Sequence, residues 1–174
     1  RETQTFEIID DVAHMKSEIG LLFYNDFNRP VLEKLIHTNE LTFTELFTAH
    51  PHIFIGKTHP LANKEVWQAE DFAEETWVTY PVPDDMLDLY RQVLKPKGIN
   101  PPRRTTELTI ALIQLVASRR GIATVPYWAA LPYLEKGYVV ARKITEEGLY
   151  SNLYAAIRKE DVNLAYIEDF HQTI

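Results

Sequence analysis

Cysteine is absent from these 174 residues, which excludes disulfides, zinc–thiolate sites and cysteine nucleophiles. Glycine is scarce, with six scattered residues. None belongs to a Walker loop, a G-x-G-x-x-G turn or a G-x-S-x-G elbow, so the common nucleotide-binding and serine-hydrolase signatures are missing. No stretch reaches the roughly 20 apolar residues that cross a membrane. The first residues carry no secretory signal. Positive charge is also short, with 18 Lys and Arg against 25 Asp and Glu and a net charge of −7. A chain of that sign does not grip nucleic acid alone. The remaining composition, 45% hydrophobic and 25% charged, is that of a soluble globular protein of one domain or two small lobes. The chain opens at Arg1 without a starting Met, which points to an upstream part.

The most informative stretch runs from Thr105 to Pro126. Thr105 or Thr106 is expected to cap a helix by accepting from free backbone N–H groups. Leu108, Ala111, Leu112, Leu115 and Val116 fall at helical spacing and form one apolar face. Gly121, after Arg119 and Arg120, reads as the helix stop. Ile122 to Val125, closed by Pro126, reads as a strand buried in a sheet. The helix N-terminus, with Thr105, Thr106, Glu107 and Thr109 around it, suits a small anion or zwitterion. The plainer reading makes these residues helix caps only.

Elsewhere the chain alternates. Arg1 to Glu7 reads as a strand and Ile8 to His14 as a short helix. Ile19 to Tyr24 is a strand, and Pro30 starts a helix carrying Val31, Leu32, Leu35 and Ile36. Leu41 to Thr48 and His52 to Ile55 read as adjacent strands. Glu70 to Glu75 is a helical turn, and Trp77 to Tyr80 a strand followed by an extended turn at Pro81 and Pro83. Asp84 or Asp85 is expected to cap a helix from Met86 to Leu94. After the central stretch come a helix over Pro126–Glu135, strands over Tyr138–Arg142 and Leu153–Arg158, and a last helix over Leu164–Ile174. Such alternation predicts an α/β fold with mostly parallel sheets, which place ligands at strand carboxyl ends.

The central stretch resembles the second lobe of the effector-binding domain of LysR-type transcriptional regulators. In that family a helix N-terminus faces the inducer cleft and a Gly-Ile-Ala-x-x-Pro strand follows. Further runs resemble the methionine-biosynthesis group of the family (MetR type), which senses homocysteine. They are T-Y-P-V-P from Thr79, L-D-L-Y-R-Q-V-L from Leu87, Y-L-E-K-G-Y-V-V-A-R from Tyr133 and G-L-Y-S-N-L-Y-A-A-I-R from Gly148. This specific likeness covers Asp71 to Ile174. H-P-L-A at His59 is a common family marker, while the opening R-E-T-Q-T-F-E-I-I-D-D-V is similar to other branches. The resemblance implies two Rossmann-like lobes of the periplasmic-binding-protein-like fold (type 2). Residues 1–70 and 154–174 would form lobe I and 71–153 lobe II, with crossings near 59–72 and 148–153. It also implies that the first strand-helix unit and the DNA-binding head, a winged helix-turn-helix, lie outside this chain.

Candidate ligand-binding residues follow. Gln4 and Thr5 match the first-lobe loop that contacts inducer in the family, or form a strand-end turn. Tyr80 is a cleft residue or a core aromatic. Glu107 is placed to meet an ammonium and to serve the helix dipole in the first turn. Thr105, Thr106, Thr109 and Pro126 complete the set. His50, His52 and His59 have no carboxylate or cysteine at ligand spacing, so no metal site is expected. The pairs Arg103/Arg104 and Arg119/Arg120 read as a solvated face and a helix C-terminal charge, and Tyr127, Trp128 and Tyr133 as core or interface.

The sequence thus reads as the inducer-sensing domain of a cytoplasmic regulator, without enzymatic activity, cofactor or membrane contact. It would bind homocysteine or a related amino acid between its lobes. The resemblance further implies a homodimer, a tetramer at full length, and DNA contact only through the absent head. A free-standing solute-binding protein would share the fold but carry a secretory signal. A prephenate-dehydratase-like lyase would need a Thr-Arg-Phe loop, and no T-R-F occurs.

Overall fold

A nine-residue helix, α1 (Thr5–Ala13), opens the architecture, and burial of Ile9 and Val12 fixes its inner face. The computed structural model describes residues 5–25, 28–38 and 40–173. The chain divides into two units, 1–48 with 151–174, and 49–150.

The first unit is built on a three-stranded sheet with strand order β1-β9-β2. These are β1 (Ile19–Tyr24), β2 (Leu41–Ala49) and β9 (Ser151–Arg158). Strands β1 and β9 run antiparallel, from Ile19 opposite Ile157 to Tyr24 opposite Asn152. Helices α1 and α2 (Arg29–Thr38) bury Ile9, Val12 and Leu32 with Leu22, Leu41 and Ala156. Gly20 permits this contact, because a Cβ there would lie 2.6 Å from Ile8 Cγ2. Helix α5 (Ala165–Thr173) sets Ile167 against Ala155 and Ile157. Arg158 Nη1 donates to the carbonyls of Val12 (2.6 Å) and Ser17 (3.0 Å), fastening the end of α1 to β9.

The second unit carries a six-stranded sheet of order β4-β8-β3-β7-β5-β6. Its strands are β3 (Pro51–Gly56), β4 (Val66–Trp67), β5 (Trp77–Thr79), β6 (Arg103–Thr105), β7 (Ile122–Pro126) and β8 (Val139–Ile144). Both faces are covered, so successive residues enter opposite cores. Ile53, Trp77 and Ile122 join Trp67 and Phe72 on one side. Phe54, Val78 and Ala123 meet helix α3 (Thr109–Ala117) on the other, through Leu112, Ile113 and Val116. Two-sided burial explains the near-continuous apolar strands. A short α4 (Leu131–Glu135) follows a 3-10 turn at Tyr127–Ala130.

Several expectations change. Thr5 to Glu7 are helical rather than extended, because burial of Ile9 and Val12 carries the helix a turn further upstream. Leu41–Ala49 and Pro51–Gly56 follow each other but belong to different sheets. The first passage between units therefore falls between residues 48 and 49 rather than in 59–72, since Ile53 to Gly56 pair with β8 of the second unit. The second falls between 150 and 151. The larger sheet is mixed: β3 runs antiparallel to both β7 and β8, while β5 is parallel to β6 and β7. The helix expected over Met86–Leu94 is a 3-10 turn (Asp84–Met86) followed by a segment with a π turn at Tyr90–Leu94. Asp84 and Asp85 cap nothing there; they pair with Arg103 and Lys95.

Candidate functional site

Strands β6, β5 and β7 run parallel, so Thr105, Tyr80 and Pro126 end at the same edge of the second unit. Carboxyl ends of parallel strands are where α/β folds place ligands. Thr79 lies opposite Thr105 in the register, and the Thr106 N–H donates to Thr79 O at 3.0 Å. Glu107 and Leu108 then lead into α3, whose first residue is Thr109. The chain thereby brings the Tyr80 hydroxyl to 2.8 Å from Thr109 Oγ1.

The start of α3 differs from the expected cap. Leu108 is the N-cap residue, with extended φ and ψ, and no side chain caps it. Thr105 is held in β6 and the Thr106 N–H is bound to β5, so both threonines are drawn into the sheet and fall short of the N-cap position at Leu108. The start of α3 thus has no side-chain cap, and the Tyr80–Thr109 hydroxyl pair lies at its first residue. Uncapped amides at a helix N-terminus attract an anion. Glu107 lies ahead of the N-cap rather than in the first turn; it is exposed and has no hydrogen bond or ion pair among the described residues. Leu108 and Ile110, which are 59% and 52% exposed, flank the amides with apolar surface. The buried face of α3 is Leu112, Ile113 and Val116; Leu108 is not on it.

The far end of α3 also departs from expectation. Arg119, with φ 56°, takes the left-handed position. The Arg119 and Arg120 amides donate to Val116 O (3.0 Å) and Leu115 O (2.8 Å), closing a Schellman motif. Gly121 serves the next step. Its φ is 149°, and a Cβ there would meet Thr76 O at 2.4 Å, so only glycine lets β7 enter beside β5.

Arg103, expected on a solvated face, is instead engaged by the turn after β5. Its Nη2 donates to the carbonyls of Tyr80 and Val82, both at 2.6 Å, and its Nη1 reaches Asp84. The guanidinium thus holds the Pro81–Pro83 turn behind Tyr80.

Of the other candidates, Gln4 lies outside the described residues, and Thr5 opens α1 in the first unit. Pro126 ends β7 opposite Pro51 and precedes Tyr127, whose N–H donates to His50 O at 3.3 Å. The structure therefore joins Tyr80, Thr105, Thr106, Glu107, Thr109 and Pro126 on one edge. His52 packs edge-on against Tyr127 at 5.2 Å, and His59 pairs with Glu75 at 3.2 Å. Among the described residues no three His, Asp or Glu form a metal-binding group, and no helix is long and apolar enough to cross a membrane.

Known proteins of similar sequence and fold identify the family. The "HTH-type transcriptional regulator MetR" of Haemophilus influenzae is 66% identical over 156 residues, covering 90% of this chain and 50% of that protein. The regulator of the same name from Escherichia coli K12 is 37% identical over 158 residues, covering 91% of this chain and 47% of its own length. A solved regulatory domain of the LysR family regulator MetR from N. meningitidis superposes with a TM-score of 0.75 at 49% identity, covering 94% of this chain and 71% of that one. The chain thus spans about half the length of the two full-length regulators. The Haemophilus match takes in most of the first 70 residues, so the likeness to the methionine group extends beyond the stretch from Asp71. The LysR substrate binding domain family matches residues 1–174 throughout, and the chain belongs to it.

Proposed function

We propose that this chain is the effector-sensing part of a MetR-type regulator and that its effector is an α-amino acid, homocysteine or a close relative. The observation that carries the reading is the Tyr80–Thr109 hydroxyl pair beside the uncapped start of α3. The effector carboxylate accepts from the first-turn amides and the hydroxyls, and Glu107 takes the ammonium. Leu108 and Ile110 offer apolar contact to a short thiol or thioether side chain. The chain catalyses nothing and needs no cofactor.

In this reading the unit 1–48 with 151–174 is lobe I and the unit 49–150 is lobe II. The full regulator is a cytoplasmic homo-oligomer that contacts DNA through a segment other than this one. Effector shifts its equilibrium only by binding one conformation more tightly than another. The net charge of −7 supports the division of labour, because this chain lacks the cationic surface that binds phosphates.

Calorimetric titration of the chain with homocysteine, methionine and butyrate tests the reading. Amino-acid binding without butyrate binding supports it. Butyrate binding with neither amino acid bound removes both the Glu107 role and the homocysteine assignment.

A further inference from the structure

Between buried Thr79 and buried Leu89 the chain makes an arch, residues 81–86. Pro81 and Pro83 are exposed, and Val82, Asp84, Asp85 and Met86 are half-buried. From Leu89 onward the segment is anchored by apolar burial, since Leu89, Val93 and Leu94 share one core with Trp67 and Trp77. The arch itself is held by polar bonds. Arg103 grips one end through the carbonyls of Tyr80 and Val82 and the carboxylate of Asp84. At the other end Lys95 Nζ donates to Asp85 Oδ1 at 2.5 Å, and Arg91 Nη1 donates to Asp85 O at 3.4 Å. The carboxylates of Asp84 and Asp85 are 46% and 40% exposed. Ion pairs of that exposure contribute little, so the arch lies at the low end of local stability.

The arch starts at the residue that also touches the site. The Tyr80 hydroxyl lies 2.8 Å from Thr109 Oγ1, while the Tyr80 carbonyl accepts from Arg103 Nη2 and from the Val82 N–H at 2.9 Å. Site and arch are thus joined through one residue and one guanidinium. A guanidinium is a planar, rigid fork, so a displacement of one of its carbonyl partners is passed to the others.

We propose that the arch is a switch element that reports whether the Tyr80–Thr109 pair is intact. A ligand group that takes either hydroxyl parts the pair. Tyr80 then relaxes, its carbonyl shifts in the Arg103 fork, and the Asp84 end loosens. Occupancy of the site thereby changes the surface at residues 81–86. The proposal rests on the reading of that pair as an effector contact. The coupling is measured without effector, so its failure is distinguishable from a failure of homocysteine binding.

Amide hydrogen exchange on the 174-residue chain tests it. The probes are the Met86 and Leu87 N–H groups, which donate to Pro83 O at 3.0 Å and to Asp84 O at 2.9 Å. Thr109→Val parts the pair while keeping the side-chain shape. It should raise exchange at both probes roughly threefold to tenfold, the range of one neutral hydrogen bond. The same substitution on an Arg103→Lys background should add nothing, because an ammonium does not reproduce the fork. Asp84→Asn cuts the last link with less effect on the fold, and should likewise abolish the response to Thr109→Val. Unchanged exchange at Met86 and Leu87 in Thr109→Val would overturn the switch. Effects of Thr109→Val and Asp84→Asn that simply multiply would leave Arg103 and Asp84 as braces only, and would overturn it as well.

Discussion

Arg103 Nη2 donates to the carbonyl oxygen of Tyr80 at 2.6 Å, so the residue whose hydroxyl meets Thr109 is held through its own backbone. The arginine sits on β6, next to β5, and bridges to Val82 and Asp84 as well. Tyr80 is thus positioned by a strand, two prolines and a guanidinium.

Replacing Arg103 with Gln should cost about 1.5–3 kcal/mol of stability, because one amide cannot satisfy the carbonyls a guanidinium holds. Effector affinity should fall with it as Tyr80 loses its support. Urea unfolding and an effector titration on the same variant check both. An unchanged midpoint would place Arg103 outside the structure's framework.

The two ends of the α3–β7 connection respond oppositely to glycine chemistry. Arg119→Gly should stabilise by about 0.5–1 kcal/mol, since the left-handed conformation at this helix end costs glycine little. Gly121→Ala should destabilise by about 3 kcal/mol or more, because its Cβ would collide with the Thr76 carbonyl. Thermal unfolding of the two variants should shift in opposite directions.

Alkaline pH should loosen the first unit. Burial, followed by the Glu33 hydrogen bond, pushes the Tyr24 phenol above its ordinary value. The hydrogen bond to Glu45, followed by burial, does the same for Tyr154. Both groups hold protons more tightly folded than unfolded, so the unfolded chain loses them first as pH rises. Their stabilisation is complete below the unfolded value of about 10 and declines as pH climbs through the folded values. Urea midpoints between pH 8 and 11 should fall at the upper end, and Glu45→Gln should reduce the slope.

The parts legible in the sequence were those set by local pattern. Ile122 to Pro126 announced a buried strand, and the apolar spacing after Thr109 announced a helix. What failed depended on distant partners. Thr105 and Thr106 are good cap types, but pairing of Thr105 with Thr79 draws that segment into the sheet. Only His50 separates β2 from β3, yet Ile53 pairs with Arg142, a choice made by strands far along the chain. Of the site, the residue types around α3 were visible. The Tyr80–Thr109 contact and the Arg103 fork were not, because each needs β5 and β6 to be neighbours. The contacts among Tyr24, Phe43 and Tyr154 draw on three strands and left no motif.

The central claim is that an α-amino acid docks its carboxylate on the first turn of α3 with its ammonium at Glu107. Backbone 1H–15N shifts during a homocysteine titration test it most directly, on the native chain and on Glu107→Gln. The account predicts the largest shifts at the Thr109, Ile110 and Ala111 amides and at Tyr80, with affinity roughly tenfold or more weaker in the variant, one charge-assisted bond being worth about 1.5–3 kcal/mol. Saturable homocysteine binding that leaves those amides unmoved, or that is indifferent to Glu107→Gln, would contradict it.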